Sequence, residues 1–304
     1  MGKKVFVSYS HAQGEWVWNR LVPCLKAGGA EVLIDRERFE AGRSLVAQMD
    51  DLQDRADVDV LVLSPQYFES GNCMHEMELA ISRDPSFAEG VVVAVERVRC
   101  ALPPEIAAPN PLHVKLSDDK DGAAWKRLLD ACGAHLGATA PDWLRARDQV
   151  VRLLKRHQSV NLLVKGELKW RALVCDIREN HIKDLAVVDL DRGTTESREG
   201  LVSEMLEACG LGVGVLGRKK DLPALQKAFD SARHAYNLAL LHFDHVERRG
   251  YGPDLFAALR YLVTESRKLV LLLESRRPLA DLLGDADPSS PDLCEIVEVK
   301  SEEA

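Results

Sequence analysis

The sequence predicts an α/β protein made of two domains, each built on a parallel sheet. Three observations support this fold class. Short, almost continuously apolar strand segments alternate with helical segments, which is typical of a parallel sheet covered by helices. The 304 residues are long for one hydrophobic core and sufficient for two. Residues 133–141, GAHLGATAP, are small and uncharged, and this segment reads as a linker between the two halves.

The first domain is predicted over residues 1–134. Helical spacing of apolar residues occurs between Trp16 and Leu25, over residues 44–55, in GNCMHEMELAIS and over residues 122–132. Ligands in parallel α/β folds bind beyond the carboxyl ends of the strands, so the loops after Ser8, Asp35 and Ser64 are the predicted site. The predicted strands are KKVFVSYS (3–10), AEVLID (30–35), VDVLVLS (58–64), GVVVAVERV (90–98) and PLHVKLS (111–117).

Composition excludes several classes of protein. Hydrophobic residues make up 46% and charged residues 29%, a mixture typical of a soluble globular protein. The net charge of −8 argues against nucleic acid as a partner, and no apolar run reaches the roughly 18 residues of a membrane span. The seven cysteines form no C-x-x-C pair and indicate a reduced, cytoplasmic chain. No metal site is expected, because His242 and His245 lack a second pair of ligands at suitable spacing.

The segment GNCMHEMELAIS, residues 71–82, contains two candidate catalytic glutamates, Glu76 and Glu78. Each residue of a helix advances by about 100°, so the two carboxylates point well apart. Both lie on opposite edges of the apolar stripe, and periodicity does not choose between them. A glutamate near a helix start also suits the helix dipole without any catalytic role. The stripe consists of Cys73, Met74, Met77, Ala80 and Ile81.

Several motifs of the first half occur together in one known family. VFVSYSH followed by EWV, then LIDRERFEAG, then LVLSPQYFESGNCMHEMELA, and later ERVRCALPPEI, resemble the bacterial Toll/interleukin-1 receptor (TIR) domain over about residues 3–134. The resemblance implies a flavodoxin-like parallel sheet. It also selects Glu76 over Glu78, because the family pattern of roughly W-C-x-x-E reads Asn72-Cys73-Met74-His75-Glu76 here.

The resemblance implies NAD⁺ cleavage with Glu76 as the catalytic residue. Breaking the nicotinamide–ribose bond develops positive charge on the ribose, and the leaving pyridinium needs no general acid. One carboxylate is therefore sufficient, unlike in ordinary glycosidases. NAD⁺ is then the substrate, and no cofactor is expected.

Further pocket residues follow from the same resemblance. Ser10 and His11 end the loop after the first strand, and the family's flexible loop supplies the others. An arginine in that loop could meet the pyrophosphate, or could equally be a solvated surface residue. One departure is Asn72, which stands where the family often has an aromatic residue. The loop candidates are Arg38, Glu40, Gly42 and Ser44.

Residues 135–157 are predicted to be a linker followed by a connector helix from Trp143 to His157. Its RLLKRH segment resembles a nucleic-acid patch, but a solvated helix face explains it better. The second domain is predicted over residues 158–304. Its predicted strands lie in SVNLLV, DLAVVDLD, NLALLHFDHVE, KLVLLLE and the chain's final segment; its helices lie in SREGLVSEMLEACGL, DLPALQKAFDSAR and PDLFAALRYLVTES.

The second half resembles the P-loop ATPase modules of the STAND and AAA+ type over about residues 150–300. A working P-loop needs G-x-x-x-x-G-K-[ST], so that backbone N–H groups and a lysine hold the phosphates. The acidic pair expected at the end of a later strand reads Asp244-His245. The missing P-loop residues and the histidine in place of the second acid both predict a fold that has lost nucleotide hydrolysis. The matching stretch has Val164, Lys169, Trp170 and Arg171 at the four required positions, with Gly166 misplaced.

These features predict a NAD⁺ glycohydrolase that is activated by oligomerisation through a pseudo-ATPase domain, with bacterial antiviral defence as the setting implied by the resemblance. The product would be ADP-ribose or cyclic ADP-ribose. Self-association, as an oligomer or filament, and docking on a protein trigger are the expected partnerships. A non-catalytic TIR adaptor is the alternative, and Asn72 favours it. A third interpretation, an active ATPase in the second half, conflicts with Trp170.

Overall fold

The computed structural model describes residues 2–34, 45–109, 113–166, 168–211, 221–283 and 293–299. The chain divides into two compact units between Leu144 and Arg145, inside the helix Ala140–Lys155. Each unit contains a five-stranded sheet whose described strand pairs are all parallel. The predicted two-domain α/β fold class is therefore confirmed, whereas the predicted domain limits at residues 134 and 157 remain predictions.

The sheet of the first unit positions the candidate site. Its strands are β1 (Lys4–Tyr9), β2 (Glu31–Leu33), β3 (Val58–Leu63), β4 (Val92–Glu96) and β5 (Val114–Lys115). They are arranged in the order β2-β1-β3-β4-β5, which is the flavodoxin-like order. In this order β2 is added on one side of β1 and β3 on the other, so the order of strand addition reverses between β1 and β3. The carboxyl ends of these two strands therefore form the crevice in which such folds bind ligands.

Helices cover this sheet because their apolar stripes match its buried side chains. Every residue of β3 is buried, as the apolar segment VDVLVL predicts for a central parallel strand, and its one charged residue, Asp59, is buried with the rest. The helix Gly71–Arg83 begins where the Ser70 side chain accepts a hydrogen bond from the Cys73 N–H, and it buries Cys73, Met77 and Ala80. The described α-helices of this unit are Gly14–Trp16, Val22–Ala27, Leu45–Asp54, Pro65–Phe68, Gly71–Arg83, Pro104–Ala107 and Gly122–Ala131, with a 3₁₀ helix at His11–Gln13 and a π-helix at Val17–Leu21.

The segment predicted to be a linker packs on the first unit rather than extending into solvent. Ala134, Leu136 and Ala138 are buried. The His135 N–H donates to the Gly28 carbonyl at 3.0 Å. A Cβ added to Gly28 would lie 2.6 Å from the Ala134 Cβ, so the approach of the two segments requires a glycine. The absence of charge in GAHLGATAP thus reflects burial.

The second unit repeats the architecture with a different strand order. Its strands are β6 (Val160–Leu163), β7 (Ala186–Asp189), β8 (Tyr236–Leu241), β9 (Leu269–Ser275) and β10 (Glu295–Glu298). They lie in the order β10-β6-β9-β8-β7. The loop after β6 leads directly into the helix Trp170–Asp176, which is the strand–loop–helix arrangement of a P-loop.

The helices of the second unit pack on a leucine-rich core that includes Leu201, Leu225, Leu259 and Leu271. No helix within the described ranges is both long enough and apolar enough to cross a membrane. The described α-helices are Trp170–Asp176, Arg198–Ala208, Leu222–Asp230, Val246–Arg249, Pro253–Thr264 and Leu279–Leu283, with 3₁₀ helices at Gly193–Thr195 and Phe243–His245 and a π-helix at Ile177–His181.

Candidate functional site

Glu76 lies at the crevice between β1 and β3. It occupies the second turn of the helix Gly71–Arg83, and only 6% of its surface is exposed. The Ser8 hydroxyl, near the carboxyl end of β1, donates a short hydrogen bond to Glu76 Oε2. The helix therefore carries this carboxylate to the edge of the sheet where ligands are expected to bind.

Tyr67 extends this contact into a chain of three polar groups. Its hydroxyl lies 2.7 Å from the Ser8 Oγ, and both side chains are buried. Tyr67 belongs to the short helix Pro65–Phe68, which starts directly after β3 and is capped by the Ser64 side chain. Burial raises the pKa of the Tyr67 hydroxyl well above its usual value, so this group remains protonated at physiological pH.

The backbone of the glutamate helix is held as well. The Gln53 side chain, from the helix Leu45–Asp54, donates to the Glu76 carbonyl at 2.8 Å. At the other end of the helix, Arg83 binds the buried Asp59 carboxylate at 2.8 Å and the Ala56 carbonyl at 2.6 Å. These contacts fix both ends of the segment that presents Glu76.

Glu76 and Glu78 differ sharply in their surroundings. Glu78 is exposed, whereas Glu76 is buried against β1. Asn72, one turn before Glu76, is also exposed. The helix periodicity left the two glutamates equivalent, and packing against Ser8 separates them.

The other predicted pocket residues fall into two groups. Ser10 and His11 follow β1 directly; Ser10 caps the 3₁₀ helix His11–Gln13, and His11 is exposed. They share the carboxyl edge of the first sheet with Ser8. Arg38, Glu40, Gly42 and Ser44 lie outside the described residues.

Aromatic side chains adjoin the same strand end. Tyr9 closes β1, and its hydroxyl accepts a hydrogen bond from the Trp18 indole N–H at 2.9 Å. The His11 ring meets the Tyr9 ring edge-on, with 6.4 Å between their centroids. These contacts group three aromatic side chains, one of them the exposed His11 imidazole, at the carboxyl end of β1.

Comparison with known proteins agrees with this geometry. Residues 5–129 match the family model of the TIR domain. The first unit is a TIR domain. Its sequence is 31% identical to Toll-like receptor 6 of Bos taurus over 75 residues and 27% identical to Toll-like receptor 6 of Homo sapiens over 112 residues. These alignments cover 25% and 36% of this chain but only 10% and 13% of the receptors.

Two solved structures are also similar. The TIR domain of the Toll-related receptor TRR-2 from Hydra magnipapillata is 20% identical, with a TM-score of 0.36, and the match covers 41% of this chain and 94% of that one. A Walker-type ATPase of Pyrococcus abyssi is 16% identical, with a TM-score of 0.34, covering 51% of this chain and 53% of that one.

The predicted degenerate P-loop lies at the carboxyl edge of the second sheet. Val164 is buried, and its N–H donates to the Ser275 carbonyl; Gly166 has a positive φ of +66°. Lys169 precedes the helix Trp170–Asp176, so Trp170 stands at its first position, where a working P-loop would need a phosphate-binding lysine. Trp170 packs edge-on against His242, with 5.1 Å between the ring centroids.

Arg171 and His242 form a charged network beside this tryptophan. The Arg171 guanidinium lies 3.4 Å from Asp189 Oδ2 and 3.3 Å from His242 Nε2. His242 Nδ1 lies 2.6 Å from Asp189 Oδ1. Burial alone would raise the pKa of Asp189, but the hydrogen bond from His242, the Asp191 N–H and the Arg171 charge hold this pKa below its usual value.

The predicted acidic pair, Asp244-His245, lies in the 3₁₀ helix Phe243–His245, which begins two residues after the end of β8. Asp244 accepts a hydrogen bond from the Arg276 N–H at 2.8 Å. His245 stacks on His242 and lies 3.6 Å from Asp191. Both members of the predicted pair therefore contact neighbouring side chains or backbone of the same sheet edge.

Sequence reasoning placed the end of the first strand at the site but missed the pairing of Ser8 with Glu76, and it missed Tyr67 and His242 as members of these two sites. A serine inside the buried strand VFVSY was the available signal for Ser8, since a buried hydroxyl requires a partner. Its partners come from residues 59 and 68 positions further along the chain. Nothing in the local pattern indicates such distant pairings.

Proposed function

We propose that the TIR domain cleaves NAD⁺ at the nicotinamide–ribose bond, with Glu76 as the catalytic carboxylate. The observation that carries this proposal is the position of Glu76: a buried carboxylate at the switch point of a flavodoxin-like sheet, held by a neutral hydroxyl. An ionisable group in such a crevice is a candidate functional group on physical grounds.

The chemistry fits one carboxylate. The C1′–N bond breaks, and its electron pair leaves with the nicotinamide nitrogen, which becomes neutral. Positive charge develops on the ribose, and the Glu76 carboxylate stabilises it in a site of low dielectric. Water then adds to C1′ and loses a proton, giving ADP-ribose, or an adenine nitrogen of the same molecule adds instead, giving a cyclic product.

The second unit is proposed to assemble the TIR domains rather than to hydrolyse nucleotide. Trp170 and Arg171 occupy the positions of the phosphate-binding lysine and hydroxyl residue, and both contact His242. A complete α/β unit without phosphate machinery is suited to provide an assembly surface or to dock a protein trigger. Bacterial defence by NAD⁺ depletion is the setting that we propose for such an assembly-activated enzyme.

The decisive experiment compares matched variants of the full chain. Glu76→Gln and Glu78→Gln each remove one negative charge from the same helix, two residues apart. We expect nicotinamide release from NAD⁺ to fall by about 100-fold or more in Glu76→Gln, as for loss of a group that stabilises transition-state charge. Glu78→Gln should match the unaltered protein.

The assay is run at several protein concentrations, with light scattering on the same samples. Activity that rises with assembly supports activation by self-association. An assembled protein that releases no nicotinamide would reject the enzyme and favour the adaptor, which the exposed Asn72 in place of an aromatic residue supports.

A further inference from the structure

Three polar side chains form a continuous buried series in the TIR domain. Tyr67 is 0% exposed, Ser8 is 1% exposed and Glu76 is 6% exposed. The Ser8 oxygen contacts the Tyr67 hydroxyl at 2.7 Å and donates to Glu76 Oε2. Each group comes from a different element: β1, the helix Pro65–Phe68 and the helix Gly71–Arg83.

The protons in this series can be assigned by counting donors. A hydroxyl has one hydrogen, and an ionised carboxylate only accepts. Ser8 uses its hydrogen for Glu76, so its contact with Tyr67 is satisfied only if Tyr67 donates. Burial raises the pKa of Tyr67, which keeps that hydrogen in place. With Glu76 ionised, both hydroxyl hydrogens therefore have acceptors.

Protonation of Glu76 would weaken this arrangement. The hydrogen bond from Ser8 to an ionised carboxylate is charge-assisted, and it is stronger than the same bond to a neutral carboxyl group. Because Tyr67 donates to the Ser8 oxygen, the Ser8 hydrogen stays directed at Glu76. The series therefore stabilises the ionised form of Glu76 over the protonated form.

We propose that Ser8 and Tyr67 are positioning residues that keep Glu76 ionised and fix the direction of its Oε2 at the crevice. This inference rests on the proposed function of Glu76 as the catalytic carboxylate, but the state of the carboxyl group can be measured without any reaction. The Ser8 hydroxyl donates to the charged carboxylate, as water would at an exposed site, and the Tyr67 hydroxyl donates to Ser8.

The test uses three variants of the full chain. Tyr67→Phe removes the terminal donor and keeps the ring, and Ser8→Ala removes the direct donor. Tyr251→Phe is the matched control, because it removes another buried tyrosine hydroxyl, one that donates to the Thr195 carbonyl in the second unit. Thermal unfolding of all three shows how much stability each lost hydroxyl contributes.

The first readout is the ¹³C chemical shift of the Glu76 carboxyl carbon against pH, assigned by its absence in Glu76→Gln. We expect the titration midpoint to rise by about one pH unit in Tyr67→Phe, a tenfold change in the acid dissociation constant, and by more in Ser8→Ala. Tyr251→Phe should leave the midpoint unchanged. The second readout is nicotinamide release against pH, whose acid limb should move upward by the same amounts.

An unchanged midpoint in both Ser8→Ala and Tyr67→Phe would overturn the inference, whatever their thermal stabilities. If Ser8→Ala does not fold, the titration midpoint of Glu76 in Tyr67→Phe alone tests the inference. The carboxyl titration also separates this inference from the proposed function. A shifted midpoint in a protein that releases no nicotinamide would support the positioning role and reject catalysis.

Discussion

The two sheets of this protein both bring a carboxylate to their carboxyl edges, and the described partners of the two carboxylates differ in kind. In the TIR domain, the hydroxyl of Ser8 donates to Glu76. In the second unit, Asp189 lies between the His242 imidazole and the Arg171 guanidinium. A hydroxyl donor stabilises a negative charge without cancelling it, whereas a guanidinium compensates it. The comparison shows that similar architectures can supply different kinds of partner to a carboxylate at the same edge of a sheet.

The same contrast extends to the surroundings. In the TIR domain, Tyr9 and the exposed His11 lie at the carboxyl end of β1 and contact each other edge-on. At the second edge, Trp170 packs on His242, and the Arg171 guanidinium lies 5.0 Å from the Trp170 ring centroid. A cation over an aromatic ring forms a favourable contact, which helps to keep Arg171 in place.

The largest difference between the two edges is expected in nicotinamide release after one acidic charge is removed from each edge. Asp244→Asn keeps an acceptor for the Arg276 N–H and should leave nicotinamide release within about twofold, at equal assembly. Glu76→Gln should reduce it by about 100-fold or more, because it removes charge where the transition state develops it. Equal losses in the two variants would show that the second edge takes part in catalysis.

A second prediction concerns stability and Asp59, beneath the glutamate helix. Burial raises the pKa of Asp59 to about 6, and the charge of Arg83 opposes this rise only in part. An unfolded aspartate titrates near pH ~3.9, so between about pH 4 and 6 the folded state binds more protons. The free energy of unfolding should therefore fall as pH rises through this window, by up to about 3 kcal/mol from this group.

Asp59→Asn, which keeps an acceptor for Arg83, removes this titration. Urea unfolding of both proteins is measured from pH 4 to 7. The free energy of unfolding of the variant should rise relative to that of the unaltered protein as the pH rises. Parallel pH profiles would mean that Asp59 titrates normally.

A third, smaller prediction applies to Asp189, whose pKa is lowered in the folded state. A lowered pKa contributes stability above the unfolded value near pH ~3.9, and this is lost as the pH falls through the folded value. Asp189→Asn should lower the free energy of unfolding at pH 7 by about 1 kcal/mol, since partial exposure screens the ion pair. The deficit should shrink as the pH falls below about 4, which is the opposite pH trend to that of Asp59. A deficit that stays constant with pH would show that the lost interaction is not ionic.

The fold was largely predictable from the sequence, because most of the central strands are rich in apolar residues and several helices have an apolar stripe. Residues 58–63 illustrate this, as their apolar run became a fully buried central strand. The linker at residues 133–141 stays a prediction. Lack of charge in a segment can mean either mobility or burial, and here Ala134 and Leu136 are buried.

The candidate site was predictable only in part. The segment containing Glu76 was identified, but the choice between Glu76 and Glu78 depended on a resemblance. Burial distinguishes the two carboxylates physically, and it depends on Ser8, which is 68 residues away in the chain. His242 was missed as a member of the second edge because its partners, Asp189 and Arg171, come from other elements and meet it only after the sheet has formed.

The most direct test of the contrast between the two edges is a binding measurement on the full-length Glu76→Gln variant, in which bound NAD⁺ is not expected to be consumed. Titration calorimetry with NAD⁺ and, separately, with Mg²⁺–ATP compares the two edges in one protein. We predict heat of binding with NAD⁺ and none with ATP. Binding of ATP without binding of NAD⁺ would contradict the account, because it would place the functional nucleotide site at the edge that Trp170 and Arg171 occupy.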